Sequence, residues 1–280
     1  MMQSTKSIQG TREILKNHKG KTIAMVPTMG YLHEGHGALI KAAKEKADFV
    51  VVSIFVNPLQ FGPNEDFDSY PRDIDHDLAF CQKYGVDLVF HPDIEEMYPK
   101  DMEFTIRIKS MASILDGRKR PGHFEGVVTV IAKLFNIVQP DYAFFGEKDR
   151  QQLMIIKALV TDFNLPVEVF GVPTKREESG LAKSSRNVNL TETERAEAAS
   201  IYQALNMASE HIVNGEDSPS KIASEIKIYI EQNTSAHIDD LAIYSADGLK
   251  EIDKIQEDVI IFIAVKFSKT RLIDNLYVKI

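Results

Sequence analysis

His33 and His36 stand three residues apart in Pro27-Thr28-Met29-Gly30-Tyr31-Leu32-His33-Glu34-Gly35-His36. The segment follows the apolar run Lys21–Val26 and precedes Ala38–Ala47, which is rich in helix formers. On a starting helical turn, side chains at that spacing can point the same way, and their ring nitrogens can donate to phosphate oxygens. A helix N-terminus already favours anions, and Gly30 and Gly35 let backbone approach a ligand. Two histidines alone are weak evidence, better explained as incidental residues or half a metal site. The order of strand, Pro-Thr-Met-Gly, HxGH and helix is the stronger signal.

Four further blocks carry groups able to act on a small anionic ligand. Asn57–Arg72 is a long loop after the apolar run Phe49–Val56. Asn57 and Gln60 in it offer amide donors and acceptors suited to hydroxyls and a carboxylate, although a surface loop of turn residues fits equally well. Arg118-Lys119-Arg120-Pro121-Gly122-His123-Phe124-Glu125-Gly126 is a basic turn before an apolar helix. It is either a solvated basic turn or a helix start that carries cations near an anion pocket. Phe145-Gly146-Glu147-Lys148-Asp149-Arg150-Gln151-Gln152 is another strand-to-helix junction. There Lys148 can contact phosphate, Asp149 can accept from ribose hydroxyls or help hold Mg²⁺, and Gln152 can face the same cleft. Read alone, a capped helix start explains that block better, since Asp is a good N-terminal residue. Lys183-Ser184-Ser185-Arg186-Asn187 combines cations and hydroxyls suited to a polyphosphate, with a serine-rich hinge as the alternative. A mobile cationic loop between domains can close over a triphosphate and stabilise charge in the transition state.

The elements that must position these groups alternate between strand and helix. Strands are expected at Lys21–Val26, Phe49–Val56, Val86–Phe90, Asp141–Phe145 and Pro166–Val172. Helices are expected at Ala38–Ala47, Ile74–Tyr84, Gly126–Val138 and Gln151–Phe163. The near-continuous apolar character of Phe49–Val56 suits a strand buried on both faces. The order implies an α/β chain with a doubly wound parallel sheet of right-handed βαβ units. The character changes between about Val172 and Arg186. Helical stretches at Glu192–Ile212 and Pro219–Gln232 follow, then strand-like runs at Leu241–Tyr244, Asp258–Val265 and Arg271–Lys279. These read as a smaller C-terminal α+β domain with an antiparallel hairpin. The expected domains are residues 1–175 and 176–280.

Composition sets the outer limits. The chain has 280 residues, 44% hydrophobic and 26% charged, an ordinary globular mix that excludes wholesale disorder. Its net charge of −8 makes it a poor general binder of nucleic-acid backbone while allowing a local basic pocket. Cys81 is its one cysteine, which excludes an intramolecular disulfide and a multi-cysteine metal site. No apolar run reaches the length of a spanning helix, and the N-terminal residues lack a signal-peptide core. A cytoplasmic setting is expected.

The HxGH segment is similar to the nucleotide-binding signature of HxGH nucleotidyltransferases and class I aminoacyl-tRNA synthetases. Taken in order, VPTMGYLHEGH, IFVNPLQFGPNEDFDSYPR, RPGHFEGVVTV, FGEKDRQQL, GLAKSSRNVNLT and AVKFSKTRLIDN resemble the pantoate–β-alanine ligase family over essentially the whole chain. The resemblance implies a homodimer with a Rossmann-like first domain and a C-terminal lid. It also implies a two-step reaction in which D-pantoate attacks ATP to give pantoyl adenylate and diphosphate, and β-alanine then displaces AMP, with Mg²⁺ required. By the same resemblance Met29, Gly30, Tyr31, Leu32, His33, Glu34, Gly35 and His36 line the ATP site, as do Gly146, Glu147, Lys148 and Asp149. Lys175, Lys183, Ser184, Ser185 and Arg186 complete it. His36, His33, Lys148 and Arg186 are the implied catalytic residues, with His36 the acid. Asn57, Gln60 and Gln152 are implied to bind pantoate, Gln60 also β-alanine, and Asp149 to assist the metal. The family often has Val where this chain has Lys175 and Met where it has Lys183. Backbone atoms at Lys175 can still serve adenine. Another HxGH nucleotidyltransferase, which would leave the nucleotide on its product, is the competing expectation.

Overall fold

The computed structural model describes residues 2–63, 65 and 67–280. They form two compact units, Met1–Glu147 with Gln151–Pro173, and Lys148–Arg150 with Thr174–Ile280.

The first unit contains strands β1 (Gln3–Thr5), β2 (Ile23–Thr28), β3 (Phe49–Ile54), β4 (Leu88–Phe90), β5 (Tyr142–Gly146) and β6 (Glu168–Val172). Between them run α1 (Ile8–Lys16), α2 (Glu34–Lys46), α3 (Ile74–Lys83), the short α4 (Ile94–Met97) and α5 (Leu115–Lys119), α6 (His123–Val138) and α7 (Arg150–Asp162). The strands pair in parallel in the order β1-β4-β3-β2-β5-β6.

Strand periodicity explains why both faces are covered. Met25, Phe49, Val51, Leu88, Phe90, Ala143 and Phe145 enter one apolar cluster with residues of α6 and α7. Their neighbours Ala24, Val26, Val50, Val52, Val89 and Phe144 enter another with Leu39, Ile40 and Ala43 of α2 and Cys81 of α3. This is the expected doubly wound α/β sheet. The elements β1 and α1 add to the expected set, and two helices begin before their apolar stretches. Helix α2 starts at Glu34 because His33 caps it, and α6 starts at His123 after Gly122, whose φ is +86°.

The second unit holds α8 (Glu192–Glu197), α9 (Ala199–Val213), α10 (Pro219–Asn233), β7 (His237–Ser245), β8 (Val259–Lys266) and β9 (Arg271–Val278). The single helix expected over Glu192–Ile212 is interrupted at Ala198, whose N–H is shared between the Ala196 and Glu194 carbonyls. The expected hairpin is the β8–β9 half of a three-stranded antiparallel sheet in the order β7-β8-β9. Ile222, Ile226 and Ile230 recur on one face of α10 and pack with Ala204, Leu205 and Ala208 of α9 and the inner residues of β8. Among the described residues no helix is long and apolar enough to cross a membrane.

Candidate active site

The chain leaves β2 for β3 and β4 on one side and returns to place β5 and β6 on the other. The carboxyl ends of β2 and β5 therefore flank the switch point of the sheet, where open α/β folds bind ligands. Thr28 ends β2 and Gly146 ends β5. Thr28 Oγ1 donates to the Ser53 carbonyl at 2.7 Å and accepts the Gly30 N–H at 3.3 Å, which ties the start of the loop to β3.

The loop turns through two successive left-handed residues, Gly30 at φ +89° and Tyr31 at φ +52°. Tyrosine is disfavoured there, so the conformation needs outside support. Asp77 on α3 supplies it, accepting the Tyr31 N–H at 2.8 Å and the Leu32 N–H at 2.7 Å while only 1% exposed. A Cβ at Gly30 would lie 2.9 Å from the same carboxylate, so glycine is required by space as well as by φ. Asp77 is absent from the sequence-derived site. It stands one turn from Cys81 and beside Leu78, on the buried stripe of α3, where an unpaired carboxylate would be costly.

The structure brings the two histidines together, with ring centroids 4.2 Å apart. His33 Nδ1 accepts the Gly35 N–H at 3.1 Å, and His36 Nδ1 accepts the His33 N–H at 3.2 Å. This is a capping box in which both side chains are imidazoles. A ring nitrogen that accepts carries no proton, so the neutral tautomer places the proton of each ring on Nε2. Glu34 is exposed at the first helical position, and Gly35 follows partly buried.

The amide block has an order that composition does not reveal. Pro58–Gln60 forms a short 3-10 helix capped by Asn57. Gln60 Oε1 accepts from Asn57 Nδ2 at 3.1 Å, and Gln60 Nε2 donates to Met29 Sδ at 3.1 Å. Asn57, expected to meet pantoate, is held on both ends of its amide by protein partners. Nδ2 also donates to the Gly126 carbonyl at 3.0 Å, while Oδ1 accepts from Leu59 N–H at 3.3 Å and Tyr98 O–H at 2.8 Å. At 1% exposure Asn57 has both donor hydrogens engaged inside the protein and acts as the brace behind Gln60. Burial pushes the Tyr98 phenol up, so it stays a hydroxyl donor. Helix α6 meets this turn at Gly126, where a Cβ would fall 2.2 Å from the Leu59 carbonyl oxygen.

The basic turn is anchored inside the first unit. Arg120 grips Glu65 through Nε–Oε1 at 2.8 Å and Nη2–Oε2 at 2.5 Å, a bidentate pair. That fork holds the Glu65 carboxyl below its ordinary range. Arg120 Nη1 also meets His123 Nε2 at 3.0 Å, and His123 Nδ1 meets the Gln60 carbonyl at 2.8 Å. Burial first, then the adjacent guanidinium, depress His123, so it stays neutral and donates to that carbonyl from Nδ1.

At the Phe145–Gln152 block the two glutamines separate. Gln151 is buried and donates to the Met111 and Ile114 carbonyls at 2.8 and 2.9 Å, accepting the Asp116 N–H at 3.2 Å. Gln152 is partly buried, as are Gly146 and Glu147.

In the second unit, Lys148 Nζ lies 3.7 Å from Asp149 Oδ1, and the Asp149 side chain is 49% exposed. Lys175 is exposed, and its carbonyl accepts the Lys183 N–H at 2.9 Å, closing a narrow turn around the Arg176–Ala182 bridge. One of the backbone groups that could serve adenine at Lys175 is thus already engaged. Ser184 caps a short 3-10 helix, Ser185–Asn189, by accepting the Arg186 N–H at 3.3 Å. Asn187 holds this start in place through Nδ2 to the Ala182 carbonyl at 3.1 Å. Among the described residues no group of three or more His, Cys, Asp or Glu could hold a metal ion. One half-exposed carboxylate beside a lysine fits Mg²⁺ that arrives on triphosphate oxygens and keeps its waters, not a cation caged by protein.

The family model described as pantoate-beta-alanine ligase matches residues 3–277. The chain belongs to the pantoate–β-alanine ligase family. It is 53% identical over 274 residues to the pantothenate synthetase of a Staphylococcus epidermidis strain, covering 97% of this chain and 96% of that one. It is 51% identical to the pantothenate synthetase of a Geobacillus strain, covering 97% of both chains. Among solved structures, pantothenate synthetase from Thermus thermophilus superposes with a TM-score of 0.93 at 42% identity, covering 98% of this chain and 99% of that one. The Francisella tularensis pantoate-beta-alanine ligase, complexed with beta-gamma ATP and beta-alanine, matches with a TM-score of 0.79 at 37% identity, covering 99% and 97%. The family's members thus share both units of this chain.

Proposed function

We propose that this protein condenses D-pantoate with β-alanine at the expense of ATP, forming pantothenate, AMP and diphosphate through pantoyl adenylate. The observation that carries the reading is the pair of Nδ1-locked imidazoles at the switch point of the sheet, in the same unit as the braced amide of Gln60. His33 and His36 present N–H donors suited to phosphate oxygens, and Gln60 with Gln152 suits a hydroxy acid.

In the first step a pantoate carboxylate oxygen attacks the α-phosphorus of ATP, and the bond to the β,γ-diphosphate breaks. The nucleophile is already an anion, so the protein need not deprotonate it. Alignment and charge stabilisation then dominate. The histidines, Lys148 and Arg186 take up negative charge that shifts toward the leaving diphosphate, with Ser184 and Ser185 holding its oxygens. In the second step the neutral β-alanine amine, aligned by Gln60, attacks the acyl carbon, AMP leaves with the electron pair of the acyl–oxygen bond, and the amine's surplus proton passes to solvent. Mg²⁺ bound with ATP would neutralise phosphate charge, and Asp149 is the carboxylate that would hold it. The first unit is the nucleotide and pantoate domain, and the second carries the cations assigned to the triphosphate. The active species is a cytoplasmic homodimer.

A coupled assay tests this reading. Pantoate and ATP alone should release diphosphate in a burst no larger than the enzyme concentration, with pantoyl adenylate detectable by rapid quench. Addition of β-alanine should then release AMP and restore turnover. Product that retains the nucleotide would instead identify another HxGH nucleotidyltransferase. Pantothenate formed with no acyl adenylate on the path would overturn the two-step order.

A further inference from the structure

The proposed chemistry leaves Thr270-Arg271-Leu272-Ile273-Asp274-Asn275 near the C-terminus without a role, although two polar side chains there are almost fully buried. Asp274 and Asn275 are each 5% exposed. They are consecutive on β9, so they project from opposite faces of the strand. Asp274 shares its face with Leu272, Leu276 and Val278, an apolar row in which a lone carboxylate would be strongly destabilising. It is instead held by a fork from Arg176, Nη1–Oδ2 at 2.5 Å and Nη2–Oδ1 at 2.9 Å. The Arg176 guanidinium also lies 3.6 Å from the centre of the Tyr202 ring. This fastens the turn whose ends are Lys175 and Lys183.

Asn275 serves the other face. Its Nδ2 donates to the Lys148 carbonyl at 2.8 Å, and its Oδ1 accepts from Arg150 Nε at 3.3 Å. Its own N–H donates to Asp274 Oδ1 at 2.8 Å, which links the two side chains. Lys148–Arg150 follows the end of β5 closely in sequence, yet it groups with the second unit. The Asn275 contacts give the physical reason.

We propose that Asn275, held by Asp274, is a positioning residue for adenylation. It fixes the backbone that carries Lys148, and the same strand fixes the segment that leads into Lys183–Arg186. One strand therefore carries both cationic segments that the proposed function assigns to the triphosphate. The inference rests on that reading.

Three variants test it: Asn275→Ala, Asn275→Asp and Ile226→Val. The aspartate keeps the acceptor facing Arg150 and loses the donor to the Lys148 carbonyl. Ile226→Val trims a fully buried residue of the same unit and serves as the stability control. Thermal midpoint, single-turnover diphosphate release from pantoate and ATP, and the KM for β-alanine are measured on each. Both Asn275 variants should adenylate about 10-fold or more slowly, since small misplacement of a catalytic group is enough for such a loss, with the β-alanine KM unchanged. Ile226→Val should lose thermal midpoint and keep the wild-type adenylation rate. Folded Asn275 variants that adenylate normally would overturn the positioning role, as would an equal adenylation defect in Ile226→Val. Wild-type protein run alongside separates the two claims. If it makes no pantothenate the functional reading fails, whereas normal wild-type turnover with unaltered Asn275 variants removes only this inference.

Discussion

Replacing Asp77 by alanine should disable adenylation although Asp77 is itself absent from the proposed substrate contacts. The carboxylate accepts two backbone N–H groups, from Tyr31 and Leu32, and also lies 3.2 Å from His76 Nδ1. The Leu32 amide is buried and the Tyr31 amide partly buried, so at about 1–3 kcal/mol for a buried amide left without a partner the loop conformation loses at most about 2–6 kcal/mol of support. Tyr31 adds about 1–2 kcal/mol of left-handed strain that the clamp now holds in check. Together these exceed what a short loop can retain, and it relaxes toward ordinary backbone angles. His33 follows directly in sequence, and a shift of about 1 Å in such a group can cost on the order of 10²-fold in rate. Asp77→Asn keeps one acceptor and turns an amide N–H toward the other backbone donor, so it should fall between wild type and alanine. Rapid-quench measurement of diphosphate release under single-turnover conditions reads the effect, and circular dichroism reports whether the sheet survives. A folded Asp77→Ala protein that adenylates at the wild-type rate would refute the reasoning, because the loop would then hold its shape without its only charged brace among the described contacts.

Four further outcomes follow from named contacts. Gln60→Ala should weaken pantoate binding by about 1–3 kcal/mol, roughly 5–150-fold, and leave ATP binding nearly unchanged; isothermal titration with each ligand separates the two. Tyr98→Phe removes the hydroxyl that donates to Asn57 and should raise the pantoate KM by an amount corresponding to about 1 kcal/mol, with kcat little altered in steady-state assays. Glu194 accepts from Ser268 and Thr191, which lower its pKa from 4.5 to about 2. Its contribution to stability is therefore present above pH 4.5 and lost as pH falls toward 2, so Glu194→Gln should be destabilised in urea at neutral pH while its gap from wild type closes in acid. Arg186→Ala should slow adenylation more than it weakens nucleotide binding, whereas Lys183→Met should be near neutral; a large single-turnover defect in Lys183→Met would show that this lysine takes part.

The sheet was legible because continuous apolar runs such as Phe49–Val56 have few other ways to be buried, and β3 sends alternate residues into both apolar clusters. The histidine pair was legible from its order after a strand. The fine assignment of the glutamines was harder, because Gln151 stands four residues before Ile155 and Gln152 four before Ile156, both buried. Helical periodicity places both at the edge of the same stripe, and only the carbonyls of Met111 and Ile114 show which one is spent on structure. Asn57 is ambiguous in the sequence for a related reason. An amide suits a ligand and suits a turn equally well, and its partner Tyr98 lies forty-one residues away. Asp77 and Asn275 were illegible as supports because each acts on the backbone of a distant segment, which leaves no pattern near the residue itself.

One feature of chemical logic unites three of the side chains proposed to meet substrate in the first unit. His33 and His36 each accept a backbone N–H at Nδ1, and Gln60 accepts from Asn57 at Oε1. In every case the acceptor atom is engaged within the protein, so the side chain is oriented as a donor. Both substrates of the proposed adenylation are anions, a carboxylate and a triphosphate. An imidazole or amide free to turn could offer either a lone pair or a proton to them, and half of those orientations would repel. Fixing the acceptor end removes the repulsive choice before the ligands arrive, and no reorganisation is then needed as charge moves toward the leaving diphosphate. Asn57, Gly35 and the His33 amide, which touch the acceptor ends of these side chains, therefore bear on the rate as directly as the groups they aim.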